Sequence, residues 1–393
     1  MIPITYNLQS LSARKATTAA TVAGMALVVF VLAAALMLGN GIERTLARAG
    51  SADVILILRQ SSGTEMASKI DLGSAQIVRA LPEIRSSSGH LLFAGETVTM
   101  VTTTRERTGS STGSPGEVNV LLRGTSAGSS WMRPNFRIVA GRMPQSGTEE
   151  AILGVQMRGR FRGAELNQSF ALRGSRSLRI VGLFADAGSA YESELWAEQG
   201  LVADLLGEPG LMSSLRVQIQ GPLANFKRHL AQDKRLGLVA LTESEYFVRQ
   251  SADNAFLVRA AGVLLALLFA VSAGLGALSM LYGTVESRRR EIGILRAIGF
   301  SRGAVLAAFL VEAQLLSVLG AVLGLALALL LQWFQFPMVN LNTLAETLFT
   351  FELSTEVVLS AALMAGLVGL IGGLFPALRA AAISPALSMK ATG

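Results

Sequence analysis

Ala23-Gly-Met-Ala-Leu-Val-Val-Phe-Val-Leu-Ala-Ala-Ala-Leu-Met-Leu38 lies inside a stretch, Ala16 to Ile42, that carries no charged side chain. A helix needs about 20 apolar residues to cross the hydrocarbon of a bilayer, and this stretch supplies them. Three further stretches do the same: Ala260 to Val285, Gly303 to Trp333 (broken by Glu312 and Gln314), and Val357 to Leu378. A cleaved signal peptide is the rival reading of the first, because Ala33-Ala34-Ala35 resembles a cleavage site. The apolar region is longer than the usual signal core, and the later spans leave a membrane protein in either case.

Composition agrees. The chain of 393 residues is 51% hydrophobic and only 16% charged, against roughly a quarter charged in a soluble domain. The net charge of +7 is mostly Arg beside the apolar segments or scattered through the middle of the chain. No basic stripe interleaved with aromatics accompanies it, so nucleic acid is not an expected partner. The absence of cysteine excludes disulfides, thiolate metal sites and Cys nucleophiles.

Lys and Arg in the short segments set the expected orientation. They occur at Arg14 and Lys15, at Arg288, Arg289, Arg290, Arg296 and Arg302, and at Arg379 and Lys390. Gln335 to Ser360 has none, only Glu346, Glu352 and Glu356. The expectation is an α-helical membrane protein with four transmembrane helices and a mixed α+β extracytoplasmic domain, both termini cytoplasmic. Its divisions are an N-terminal segment 1–15, helix 16–42, outer domain 43–258, helix 259–285, and a cytoplasmic helical segment 286–302. Then follow helix 303–333, a short outer loop 334–356, helix 357–378 and a cytoplasmic tail 379–393.

Within the outer region, short β-branched or alternating runs predict strands at Ala52–Leu58, Leu91–Thr103, Val118–Leu122, Phe136–Val139, Leu178–Phe184 and Leu215–Ile219. Helical periodicity predicts helices at Ser74–Ala80, Gly154–Arg162, Tyr191–Leu206 and Leu223–Gln232. Gly109 to Gly116 reads as a surface loop, and Glu243 to Arg259 as helix running straight into the second span.

Catalytic chemistry is sparse. No Gly-Lys dipeptide occurs, hence no phosphate loop of the Walker type. His90 and His229 are not at metal-ligand spacing. Gly-x-Ser-x-Gly occurs at Gly109–Gly113 and, with Ser126 central, at Gly124–Gly128. The first lies in low-complexity loop; behind the second, Pro134 forbids the long helix that a nucleophile elbow requires. Glu312, about 13 Å into the third span by helical rise, is either an intramembrane functional site or a side chain satisfied by neighbouring helices. Gly320-x-x-x-Gly324 and Gly369-x-x-x-Gly373 have helix-packing spacing, within or between protomers.

The most specific stretch is Glu286-Ser-Arg-Arg-Arg-Glu-Ile-Gly-Ile-Leu-Arg-Ala-Ile-Gly-Phe-Ser-Arg302. Ile292, Ile294, Leu295 and Ile298 give it an apolar face, suited either to anionic lipid or to a groove in a cytoplasmic partner. It resembles the coupling segment of the MacB/FtsX-like permeases of ABC transporters. Gly372-Gly-Leu-Phe-Pro-Ala-Leu-Arg379, Glu312-Ala313, Gly141-Arg-Met-Pro144, Gly182-Leu-Phe184 and Tyr191-x-Ser-Glu-Leu-Trp196 resemble other parts of the same family. The resemblance implies a permease subunit in the bacterial inner membrane, coupled through Arg289, Arg290, Glu291, Gly293, Leu295, Arg296, Ala297, Gly299 and Phe300 to an ABC ATPase subunit of the MacB or LolD kind. It also implies a second copy or a paralogous permease, contact with membrane lipids, and a periplasmic adaptor in the transport branch. The chain itself is expected to be no enzyme and to hold no cofactor, ATP-Mg being bound by the ATPase. Two alternatives stand beside this: an FtsX-like regulator of a cell-wall hydrolase, and a membrane-anchored enzyme using Ser126. The spans offer few polar groups, so cargo is expected to be handled by residues 50–250 rather than to cross between the helices.

Overall fold

A computed structural model describes residues 15–87, 89–106, 116–172, 176–233 and 235–383. The first Gly-x-Ser-x-Gly match and the end of the chain beyond Ile383 lie outside the described residues. The helices are α1 (Lys15–Ala49), α2 (Leu72–Arg79), α3 (Ala127–Trp131), α4 (Gln199–Leu205), α5 (Leu223–Gln232), α6 (Glu243–Ser287), α7 (Arg289–Ala297), α8 (Arg302–Leu330) and α9 (Thr355–Ala382). The first strands are β1 (Val54–Arg59), β2 (Ile70–Asp71), β3 (Ser86–Ser87), β4 (His90–Leu91), β5 (Phe93–Thr104), β6 (Glu117–Thr125), β7 (Phe136–Gly141) and β8 (Glu150–Gly154). The others are β9 (Ser169–Ala171), β10 (Ser177–Asp186), β11 (Glu194–Glu198), β12 (Leu211–Met212), β13 (Ser214–Gln218), β14 (Leu238–Thr242), β15 (Gln335–Val339) and β16 (Glu346–Thr350). They form two compact units.

The helical unit takes the described parts of Met1–Gly41, Ala255–Phe334 and Phe351–Gly393. It contains α7, α8, α9 and most of α1 and α6. Four helices, α1, α6, α8 and α9, are long and apolar enough to cross a membrane. Glycine lets them close on one another. A Cβ on Gly324 would stand 2.5 Å from the Ala26 carbonyl oxygen of α1, and one on Gly373 would stand 2.5 Å from Ala313 Cβ of α8. Both glycine pairs are therefore used inside one protomer, where small residues let backbones approach. The polar side chains of α8 are spent the same way: Ser317 Oγ donates to the Ala365 carbonyl at 2.8 Å and Gln314 Nε2 to that of Gly366 at 3.0 Å.

The α/β unit takes Ile42–Asn254 and Gln335–Thr350. Among the described residues its ten-stranded sheet runs β14-β1-β13-β5-β6-β11-β8-β10-β7, with β9 pairing β10 off that path. Pairing is mixed: β5 and β6 form a long antiparallel ribbon from Thr97↔Gly124 to Thr104↔Glu117, whereas β11 lies parallel to β6 and antiparallel to β8. Two cores flank the sheet. Ile55, Ile57, Leu215, Val217 and Ala240 pack with Val78 of α2 and Phe226 and Leu230 of α5. Val120, Leu122, Leu153, Ile180, Leu183 and Leu195 pack with Val202 of α4, Met157 and Phe161.

Two expected helices are not there. Gly154–Arg162 holds a single 3₁₀ turn, Val155–Met157. The apolar pair Met157 and Phe161 has helical spacing and is buried, but Gly159 and Gly163 take φ of +68° and +79°, and the chain folds back in turns. Tyr191–Leu206 divides into a 3₁₀ turn (Ala190–Ser193), strand β11 and the short α4. Glu194, Leu195, Trp196 and Ala197 are all buried, and a central strand covered on both faces loses the alternation that marks strands in sequence. The connection between α8 and α9 folds as an antiparallel hairpin, with Gln335↔Thr350 and Val339↔Glu346 at its ends.

Candidate functional site

The helical unit turns sharply at Arg288, whose φ of −104° and ψ of 11° separate α6 from α7. The stop of α7 is written into its sequence. Gly299, at φ +111°, donates to the Arg296 carbonyl at 3.2 Å, and Phe300 N donates to that of Leu295 at 3.2 Å. That pair of bonds is a Schellman motif, in which glycine takes the left-handed position without a Cβ penalty. Arg296 Nη1 then donates to the Phe300 carbonyl at 3.2 Å. Ser301 caps α8 at once, its Oγ accepting from Ala304 N at 3.2 Å. Gly-Phe-Ser thus ends one helix and starts the next.

Burial sorts the residues read from the sequence. Ile292 and Gly293 face inward, Ile292 packing with Val285, Val305, Phe309, Ala377 and Ala380. Leu295, Arg296 and Phe300 are half-buried; Arg289, Arg290, Glu291, Ala297 and Gly299 are exposed. Arg289 pairs with Glu286 at 3.3 Å and Arg288 with Glu291 at 3.3 Å. The outward apolar positions are Ile294 and Ile298, 44% and 72% exposed. They stand four residues apart, hence on one helical face, with Arg290 one turn before Ile294. The sequence reading placed both on the apolar face, while the coupling set implied by the resemblance, Arg289 to Phe300, includes neither; the 3.6-residue period that carries Ile292 inward turns Ile294 and Ile298 out.

Glu312 is 2% exposed, with Arg288 Nη1 at 3.8 Å from its carboxylate. A buried charge so placed is held by an opposite charge from the α6–α7 turn, which supports the reading of a side chain satisfied within the helical unit.

A second cluster lies in the α/β unit. Glu96 of β5 is fully buried; its carboxylate takes Arg133 Nη1 at 2.7 Å and Nη2 at 3.0 Å, Arg123 Nη1 at 3.0 Å and Arg216 Nη1 at 2.5 Å. Arg123 of β6 also forks onto Glu194 of β11 at 2.7 and 2.9 Å. Arg216 of β13 reaches Glu243, the first residue of α6, at 2.9 Å. Tyr191 donates to Glu243 at 2.8 Å, Ser214 to Glu65 at 2.6 Å, and Trp196 Nε1 to Glu194 at 2.8 Å. The Arg133 guanidinium lies 4.6 Å from the Tyr191 ring centroid and 4.9 Å from that of Trp196. Burial pushes the Glu65 carboxyl up, but Arg123 and Arg216 prevail and hold it at about 2. Burial opposes ionisation of Glu96 too, and Arg133, Arg216 and Arg123 hold it well below the usual range. This network joins four strands of the sheet to the start of α6. It has no short motif, because its members come from seven separate places in the chain.

Ser126 holds the N-cap position of the five-residue α3, where its backbone N donates to Ser129 Oγ at 3.2 Å. His90 lies against Trp131, with 5.1 Å between ring centroids and the ring planes tilted by 43°, and His229 sits beside Glu83. Neither arrangement forms a catalytic triad. Among the described residues no group of three or more His, Asp or Glu could hold a metal ion.

The model of the MacB-like periplasmic core domain matches residues 18–220, and that of the FtsX-like permease C-terminal matches residues 263–385. The chain belongs to the MacB/FtsX-like permease family. Both matched models are permease regions. Among curated relatives, the macrolide export ATP-binding/permease protein MacB 1 of Aeromonas hydrophila is 30% identical over 239 residues, 54% of this chain and 34% of that protein. The pyoverdine export ATP-binding/permease protein PvdT of Pseudomonas aeruginosa is 35% identical over 116 residues, 30% of this chain and 16% of that one. The matches span about a third or less of those relatives' length. The periplasmic region of MacB from Actinobacillus actinomycetemcomitans aligns at a TM-score of 0.38 and 12% identity, covering 53% of this chain and 95% of that one. The four apolar helices and the mixed α/β unit fit the two matched family models, and α7 falls within residues 286–302.

Proposed function

We propose that this MacB-like permease is the transmembrane subunit of an ABC transporter in the bacterial inner membrane, converting ATP hydrolysis by a separate subunit into work outside the membrane, with export or extraction of a substrate as the outcome. The observation that carries the reading is the form of α7: a short helix stopped by Gly299, anchored through Ile292 and presenting Ile294 and Ile298 beside Arg290. An apolar pair rimmed by Arg suits a groove on a cytoplasmic ATPase, and the Lys/Arg asymmetry supports a cytoplasmic side for α7 and both termini. α1 and α6 are each unbroken helices, from Lys15 to Ala49 and from Glu243 to Ser287. A push on α7 therefore has continuous helices along which to travel toward the α/β unit. The permease works as a dimer, with itself or a paralogue, above two ATPase subunits. The match to the periplasmic core over residues 18–220 favours this over the FtsX-like regulator of a cell-wall hydrolase.

Charge reversal Arg296→Glu, or Gly299→Val, is expected to leave the protein inserted in the membrane. It should cut the ATPase activity recovered with the tagged permease from native membranes at least tenfold. Full recovery of ATPase with both variants would mean that α7 is a lipid-facing anchor.

A further inference from the structure

Two neighbouring antiparallel helices need only about 2–8 residues to join them, yet the α8–α9 connection builds a whole hairpin, β15–β16. That hairpin belongs to the same compact unit as Ile42–Asn254. Its attachment is extensive and specific. Glu346, 8% exposed, places one carboxylate oxygen on Arg105 and the other on Arg160. Ala345, 1% exposed, packs with Val98 of β5, Leu121 of β6 and Met66. Leu348 N donates to Ser193 Oγ at 3.2 Å. At the turn, Leu341 N donates to Asn254 Oδ1 at 3.0 Å, and Asn342 Nδ2 donates to the Gln250 carbonyl at 3.1 Å. Leu344 takes a φ of +52°, with its N–H 2.7 Å from the Asn340 carbonyl. A non-glycine residue holds that conformation only where its surroundings over-determine it.

We propose that Glu346, gripped by Arg105 and Arg160, is a positioning residue that fastens the α8–α9 connection to the α/β unit. Displacement of α8 then reaches that unit through the hairpin, in addition to the routes along α1 and α6. The proposal rests on the permease reading above. Its physical basis is that α7 lies in sequence between α6 and α8, so a push on α7 moves both. A connection that were slack would dissipate the α8 component. One buried carboxylate shared by two guanidiniums, with apolar packing beside it, makes the connection taut. Removing that carboxylate leaves Arg160 and Arg105 facing each other without a counter-charge.

Hydrogen exchange on the full-length protein in nanodiscs tests the anchoring by itself. In Glu346→Ala the amides of residues 346–350 are expected to exchange at least tenfold faster than in the wild type. Those of β1 should be unchanged, and Glu346→Gln should fall between. Hairpin exchange equal to wild type in Glu346→Ala would overturn the anchoring. In the complex with its ATPase, Glu346→Ala is expected to keep ATP hydrolysis within twofold. It should lose the difference in β5 exchange between the nucleotide-free and ATP-vanadate states. Retention of that difference would overturn the transmission role. Absence of the difference in the wild type would overturn the permease reading and the transmission role together, while the anchoring stands or falls on the first measurement.

Discussion

At the scale of single residues, the α/β unit depends on charges placed where water cannot reach them. Arg123, Arg216 and Glu96 are each at most 2% exposed, and an ion removed from water is tolerated only when its partners replace the lost hydration. Truncating one partner strands the rest. Glu96→Ala is expected to destabilise the unit by about 3–5 kcal/mol, read by denaturation of the full-length protein through the fluorescence of buried Trp196. A loss below about 1 kcal/mol would mean that the three arginines find other partners. Acid should act on the same groups. Glu65, held at about 2, and Glu96, held well below the usual range, both lie under the unfolded value of about 4.3, so their stabilising effect is complete above that value and is lost progressively as pH falls below it. The melting temperature should be nearly level from pH 7 to 5 and drop steeply below about 4.3; a level profile down to pH 3 would contradict this. Sequence showed none of the network, since a Glu or Arg inside a strand looks like any solvent-facing charge until the strand's neighbours are known. Gly299 entered the sequence reading only through the family resemblance, although a glycine after an apolar run and before a serine is a local helix-stop signal.

At the scale of elements, legibility followed the range of the interaction that makes each one. The four long helices follow from apolar length, broken in α8 only by Glu312 and Gln314, and β1, β5, β6, β7, β10 and β13 from β-branched or alternating runs. Strands β8 and β11 did not show, being short and covered on both faces. Burial there is decided by residues far along the chain. The hairpin β15–β16 was hidden for a related reason: Phe336 and Pro337 suit a membrane interface as well as a strand, and only pairing with β16 distinguishes them. The way α8 spends its polar groups bears on the path of any cargo. Gln314 and Ser317 bond to α9, and Gly320 and Gly324 press on α1. A hydrophilic conduit through the spans would lack a continuous polar lining. Cysteines stepped along α1 and α6 should therefore react with a small hydrophilic thiol reagent only near the helix ends during ATP turnover. A reactive stripe along one whole face of either helix would establish a water-filled path instead.

At the scale of the whole molecule, α1, α6 and the α8–α9 connection each run in sequence from the helical unit into the α/β unit, and the proposed transmission from α7 uses those connections. Membership in the MacB/FtsX-like permeases rests on two family models. The proposed ATPase partner is argued from α7, whose outward Ile294 and Ile298 suit a groove. Lipid is the competing neighbour for Ile298, since an apolar side chain beside Arg also suits an anionic membrane surface. A photoreactive amino acid at position 298 separates the two. Introduced into the full-length protein in its native membrane, irradiated and digested, it should yield cross-linked peptides from a nucleotide-binding subunit carrying a Gly-x-x-x-x-Gly-Lys phosphate loop, and position 149 of the α/β unit should yield none. Adducts with lipid alone at position 298, or the same ATPase peptides at position 149, would contradict the account.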